Sequence, residues 1–107
     1  IGQALMECVT YDDNGQPVTG SFMDYALPRA GDIPSMTLDS HPSPATSNPL
    51  GTKGCGEAGC AGSLATIVNA VLDALSDEGV TQIDMPLTSE KVWRAIQDGR
   101  KTKTKSA

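Results

Sequence analysis

Positive charge is in short supply. Eight Lys and Arg stand against 13 Asp and Glu, a net charge of −5. That balance excludes the broad basic face that neutralises nucleic-acid phosphates. The only basic cluster is Arg100-Lys101-Thr102-Lys103-Thr104-Lys105, so residues 100–107 are expected to be a solvated, disordered tail. Cysteine is sparse and odd in number, three in all, which fits no secreted disulfide framework. Cys55 and Cys60 have no third ligand near them, and the one histidine, His41, sits among prolines. No zinc or iron–sulfur site, and no metal ligand, is therefore expected within these residues. No apolar run reaches membrane-spanning length and no signal peptide opens the chain, so the cytoplasm is the expected setting. Aromatics are limited to Tyr11, Phe22, Tyr25 and Trp93, and apolar residues make up only 38% of the chain. At 107 residues one small domain with a modest core is the natural count. With so little to bury, and with Ile1 in place of a methionine, the chain reads as a piece of something larger.

What the chain does have is glycine and proline, 11 and seven of them, and these point to much irregular backbone. Five of the glycines fall in residues 51–62, Gly51-Thr52-Lys53-Gly54-Cys55-Gly56-Glu57-Ala58-Gly59-Cys60-Ala61-Gly62, with one carboxylate, Glu57, in the middle. Leu64, Ile67, Val68, Val71, Leu72 and Leu75 follow at helical spacing, predicting a helix over about 61–75 that buries one face. A glycine-rich loop feeding a helix N-terminus gathers backbone N–H groups at one spot and suits an anion. Residues 54–59 spell G-x-G-x-x-G, yet the dinucleotide fingerprint requires a strand just before it. Pro44, Asn48 and Pro49 break that stretch. A P-loop is excluded because no Gly-Lys-Ser/Thr occurs. On residue chemistry alone the glycines read first as tight packing beneath the helix and Glu57 as a solvated carboxylate. A working group in that position stays open.

In chain order, residues 4–11 read as a strand, Asp12-Asp13-Asn14-Gly15 as a hairpin turn and residues 17–20 as the returning strand, with Pro17 marking an edge. Met36 and Leu38 suggest a third strand, and residues 80–84 a fourth. The segment from His41 to Leu50 is a crossing loop. Gly79 lies where the long helix should stop. Thr88 is a candidate N-cap for a second helix whose apolar face holds Val92, Trp93, Ala95 and Ile96 and which Gly99 should close. Core packing is the expected role of Trp93. The fold class is mixed α+β: a small hairpin-based sheet with a glycine-loop helix and a short C-terminal helix, spanning residues 1–99.

Residues 51–59 also resemble the G-x-K-G-x-G-E-A-G segment of molybdenum hydroxylase large subunits, the superfamily of xanthine dehydrogenase, aldehyde oxidase and aerobic carbon monoxide dehydrogenase. Gly20-Ser21-Phe22-Met23-Asp24-Tyr25-Ala26-Leu27-Pro28-Arg29-Ala30 is similar to a second family segment, G-S-F-M-D-Y-x-L-P-R-A. Asp84-Met85-Pro86-Leu87-Thr88, followed by Val92-Trp93, is similar to a third. Gly2-Gln3-Ala4-Leu5 and Asn69-Ala70-Val71 also fit, so the resemblance runs in order from Ile1 to about Ile96.

The resemblance implies the C-terminal part of a molybdopterin-binding domain, with several hundred residues upstream. It implies a molybdopterin cofactor, of the cytosine dinucleotide form, and partner subunits carrying iron–sulfur clusters and FAD. Glu57 falls on the family's general base beside the metal. Lys53, Gly54, Cys55 and Gly56 fall where the backbone meets the cofactor, and Asn48 and Pro49 where the chain is aimed into the loop. The reaction implied is oxidation of an aldehyde, an N-heterocycle or carbon monoxide with oxygen drawn from water. Cys60-Ala61-Gly62-Ser63 departs from the commoner pattern and leaves the substrate open. The alternative from another class is a non-catalytic fragment or interaction module. On either reading the isolated chain is expected to hold no cofactor and to be inactive.

Overall fold

The structure is a computed structural model that describes residues 1–106. Its regular elements are helical: α1, Gly2–Leu5; α2, Ala58–Ala74; and α3, Ser89–Ser106. Short 3-10 turns occupy Ala30–Asp32 and Ser76–Glu78. α1 packs against α2, and the turn Ser76–Glu78 touches both α2 and α3.

The expected sheet is a correction. Among the described residues the only β-pairing is an isolated antiparallel bridge between Tyr11 and Pro17. The turn between them is the expected one. Gly15 has φ +79°, Asp12 N–H donates to Gln16 O at 2.9 Å and Val18 N–H to Thr10 O at 2.9 Å. Asp12 Oδ1 also accepts from the N–H of Asn14 and of Gln16, at 2.9 Å each. No strand extends from it because no face of it is buried: Val9, Tyr11 and Val18 stay 53%, 64% and 52% exposed. A two-stranded ribbon without a covered face is marginal in water, and Pro17 brings no N–H to the ladder. At the other end of the expected strand, residues 2–5 coil into α1, which buries Ala4. Gln, Ala and Leu are better helix than strand formers. Residues 36–38 and 80–84 likewise form no strand.

The helices agree better with expectation. α2 begins three residues earlier than predicted and ends within one residue of Leu75. Gly79 then adopts the left-handed conformation, φ +77°. Thr88 precedes α3, and its Oγ1 accepts the Lys91 N–H at 3.4 Å. Gly99 does not close α3. The helix continues through the basic run to Ser106, so residues 100–106 are helical rather than a frayed tail, and Ala107 lies outside the described residues. The basic side chains find partners there. Arg100 holds Glu78 through Nε and Nη2, at 2.5 and 2.9 Å. Lys103 donates to the Asp77 carbonyl. Gly99 permits this close crossing: a Cβ there would overlap the Glu78 carbonyl oxygen and stand 3.1 Å from the Gly79 carbonyl carbon. The guanidinium hydrogen bond holds the Glu78 carboxyl below the ordinary glutamate value. A hydrogen bond to Glu7, 2.7 Å long, raises the Tyr25 phenol above its ordinary value.

The core is very small. Among the described residues Ala4, Val80 and Leu87 are the buried apolar ones, and Leu87 N–H donates to Ala4 O at 2.6 Å. The predicted face of α2 is real but only half-buried at Leu64, Val68, Val71, Leu72 and Leu75. Trp93, expected in the core, is 61% exposed, with Phe22 and Met23 at 83% and 94%. The accessible surface is 8692 Å², where a self-contained protein of 11.1 kDa would show about 5,700 Å². The radius of gyration is 18.8 Å, against about 13 Å for a compact chain of this length. Roughly 3,000 Å² more surface is open than such a chain would leave.

Candidate functional site: the glycine loop and the start of the second helix

The loop is anchored at its entry by residues 43–52. Two prolines, Pro44 and Pro49, and several small polar residues there favour turns over any regular element. Gly51 carries φ +66°. Its N–H donates to Asn48 O at 3.1 Å, and its carbonyl accepts the Ala45 N–H at 3.0 Å. A Cβ on Gly51 would lie 2.8 Å from Pro44 Cβ, so glycine is required by both conformation and space. The Asn48 amide closes the turn. Its Oδ1 accepts the Thr52 N–H at 3.0 Å and the Thr52 hydroxyl at 3.2 Å, while Nδ2 donates to Thr52 O at 2.9 Å.

Beyond Thr52 the chain is bare. Residues 52–62 are all exposed. Lys53 Nζ donates to Ser43 Oγ at 3.4 Å, and Ala58 N–H to Cys55 O at 3.2 Å. A Cβ built on Gly54, Gly56, Gly59 or Gly62 would meet nothing within 4 Å. These four glycines are therefore not demanded by packing inside this chain, which corrects the view of them as tight packing beneath the helix. Glu57 is the N-cap residue of α2. Its carbonyl accepts the Ala61 N–H at 2.9 Å, and its side chain makes no capping hydrogen bond. The carboxylate thus stands free at the positive end of a 17-residue helix, where a negative charge is favoured. Cys8, Cys55 and Cys60 are free and exposed. Among the described residues no group of three His, Cys, Asp or Glu gathers to hold a metal ion.

The structure thus brings Lys53, Gly54, Cys55, Gly56 and Glu57 onto one continuous exposed loop. Sequence reasoning missed Ser43, Pro44, Ala45 and Thr52, which brace that loop. The available signal was an Asn four residues before a Thr within a Pro-rich turn, the pattern in which an Asx side chain replaces backbone pairing. The loop suits an anionic, polyfunctional cofactor in three respects: bare glycines that let a flat body reach the backbone, a cation at Lys53, and the N–H groups of a helix start. No helix among the described residues is long and apolar enough to cross a membrane.

Comparison with known proteins gives a consistent picture. A family model described as a molybdopterin cofactor-binding domain matches residues 1–34. The chain is 40% identical over 98 residues to the gamma subunit of the 6-hydroxypseudooxynicotine dehydrogenase complex of Paenarthrobacter nicotinovorans, covering 91% of this chain and 12% of that one. It is 36% identical over 95 residues to the carbon monoxide dehydrogenase large chain of Hydrogenophaga pseudoflava, covering 89% of this chain and 12% of that one. The crystal structure of quinoline 2-oxidoreductase from Pseudomonas putida 86 superposes with a TM-score of 0.77 at 39% identity, over 89% of this chain and 12% of that one. The chain therefore spans about one-eighth of the length of these relatives.

Proposed function

From the premise that the chain belongs to the molybdenum hydroxylase large-subunit family, we propose that residues 51–57 form one wall of a molybdopterin site with Glu57 as its general base. The observation that carries this reading is the loop itself. Gly54 and Gly56 before it and Gly59 and Gly62 after it face open space, flanking in sequence a carboxylate, Glu57, that makes no capping bond. Glycine in a helix or loop costs conformational entropy, and nothing within this chain repays that cost. A body from outside the chain, seated against the backbone, does.

The roles follow from the groups present. Lys53 supplies a cation for a phosphate. The N–H groups of Gly54 and Gly56 and of the first turn of α2 supply donors. Glu57 Oε takes the proton that the attacking oxygen gives up as the substrate carbon is oxidised. Molybdopterin, when bound, supplies the redox chemistry, and the protein supplies placement and proton traffic. The phosphate-binding character of the loop is compatible with a cofactor extended by cytosine dinucleotide. The substrate is an aldehyde, an N-heterocycle or carbon monoxide. Iron–sulfur and flavin subunits are the inferred partners for onward electron transfer.

The roughly 3,000 Å² of surplus surface fits the same reading: covered on this chain's side, it makes a contact of about 6,000 Å² counting both faces, the scale of the larger permanent contacts, which run to about 5,000 Å² and beyond. The inferred cover is the remainder of the same large subunit. That surplus also favours the alternative of an inert packing module, and one substitution separates the two. In the holoenzyme, Glu57→Gln keeps size and hydrogen-bonding capacity but cannot accept a proton. Turnover per bound molybdenum should fall by about 10²–10⁴-fold, the usual contribution of a general base, with molybdenum content unchanged. Wild-type turnover in this variant would remove Glu57 from the chemistry.

A further inference from the structure

We propose that the apolar groove where α1 meets the start of α3 is an unfinished core, filled by an apolar segment of the remaining large subunit. This rests on the reading of the chain as one part of such a subunit. The groove holds about 590 Å³, and Leu5, Leu87, Val92, Trp93 and Ile96 are among its walls. It opens from the chain's own core. Leu87 is only 4% exposed, and its N–H holds the carbonyl of Ala4, the buried neighbour of Leu5. Burial stops there, for Trp93 on the same groove is 61% exposed. No charged or titratable side chain lines it, which leaves an ionic partner nothing to pair with. A small-molecule site of this size places a few polar groups to fix its ligand. Here the lining hydroxyls are those of Thr88 and Ser89, and Thr88 Oγ1 already accepts the Lys91 N–H at 3.4 Å. An uncharged apolar surface continuous with a core has the character of a permanent contact, which resembles a domain core cut in half. Trp is also enriched at the energetic centre of such contacts. The relatives supply the length. This chain spans about one-eighth of them, so a large subunit of that size holds ample polypeptide to fill the groove.

Hydroxyl-radical footprinting read by mass spectrometry tests this on the full-length large subunit, with and without its partner subunits. The 107-residue chain serves as the open reference. Labelling follows exposed area. Burial of Trp93 from 61% exposed to below about 5%, the level of a fully buried side chain, should cut its labelling rate about ten-fold. The protection should be the same in the large subunit alone and in the assembled complex. Trp93→benzoylphenylalanine identifies the occupant: on illumination it should cross-link to apolar residues of the same large subunit outside this chain. Should that variant fail to fold, the footprint of the wild-type protein decides alone. Labelling of Trp93 in the large subunit as fast as in the 107-residue chain would show the groove open and overturn the proposal. So would protection that appears only with the partner subunits, or protection that rises with large-subunit concentration. A cross-link to a partner subunit, to a second copy or to a small molecule overturns it as well, since each assigns the groove to another occupant. Glu57→Gln reports separately. Wild-type turnover in that variant removes the base and leaves the groove filled, whereas an open Trp93 removes the groove and leaves the base.

Discussion

Gly62 in α2 should respond to alanine with opposite signs in two settings. In the 107-residue chain a Cβ at Gly62 meets nothing within 4 Å, and the carbonyl of Gly62 already accepts the Thr66 hydroxyl at 2.8 Å, a bond the added methyl does not touch. The change is then a helix-propensity change alone. It should stabilise α2 by about 0.8–1 kcal/mol, the usual gap between glycine and alanine in a helix interior. For a chain of this size that corresponds to a rise of roughly 4–8 °C in the thermal midpoint, read by circular dichroism at the helix band. In the holoenzyme the same methyl points toward whatever covers the open face of α2. Insertion of a methyl into a packed contact costs about 1–3 kcal/mol, which outweighs the propensity gain. The variant subunit should therefore melt earlier and carry less molybdenum. A lower midpoint for the isolated chain would refute the open-space argument. A holoenzyme variant as stable and as fully loaded as wild type would refute the claim that the glycines make room for a neighbour.

Gly99 should behave oppositely within the isolated chain itself. Gly99→Ala gains the same propensity in α3, but its Cβ overlaps the backbone carbonyl of Glu78, which no rotamer change relieves. The midpoint should fall where that of Gly62→Ala rises, and a rise for Gly99→Ala would contradict the close crossing. The Glu78–Arg100 pair gives a pH signature. The folded carboxyl lies below its ordinary value because Arg100 hydrogen-bonds it, so its stabilisation is present above the unfolded value of about 4.3 and is lost as pH falls through the folded value. The midpoint gap between wild type and Glu78→Gln should be small, since the pair is solvent-exposed, and should close below about pH 4. A gap that persists in acid would point to something other than the ion pair.

Local signals proved legible, and long-range ones did not. The spacing of Leu64, Ile67, Val68, Val71, Leu72 and Leu75 located α2 and its inward face. Asn14-Gly15 located a turn that forms with Gly15 at positive φ, and Gly79 the left-handed stop. Each of these is decided within a few residues. The strands were misjudged because alternation announces a face to be buried without saying what buries it. Residues 4–11 held too little pattern to outweigh the helix formers at 3–5. Gly99 misled for a related reason. A glycine near a helix end reads as a stop, yet here its lack of a side chain admits the Glu78 carbonyl and the helix runs on. Trp93 falls on the predicted apolar face of α3 with Val92, Ala95 and Ile96, yet the residue is 61% exposed because nothing among the described residues covers it.

The same distinction separates the glycine loop from its surroundings. The loop is marked by its own composition: glycines at 54, 56, 59 and 62 that no described neighbour in the chain demands, with one acid at the helix start. The bracing around it, Asn48 on Thr52 and Pro44 beneath Gly51, is equally local and is complete within residues 43–52. The apolar face of α2, by contrast, is satisfied only by surface elsewhere, and it stays half-buried. Among the described residues only three apolar side chains are buried, while the turn leading to the glycine loop is fully closed. On the proposed reading, the rest of the large subunit would cover what this chain leaves open. For that reason the decisive measurement on Glu57 belongs to the holoenzyme, while those on Gly99 and Glu78 belong to the chain alone.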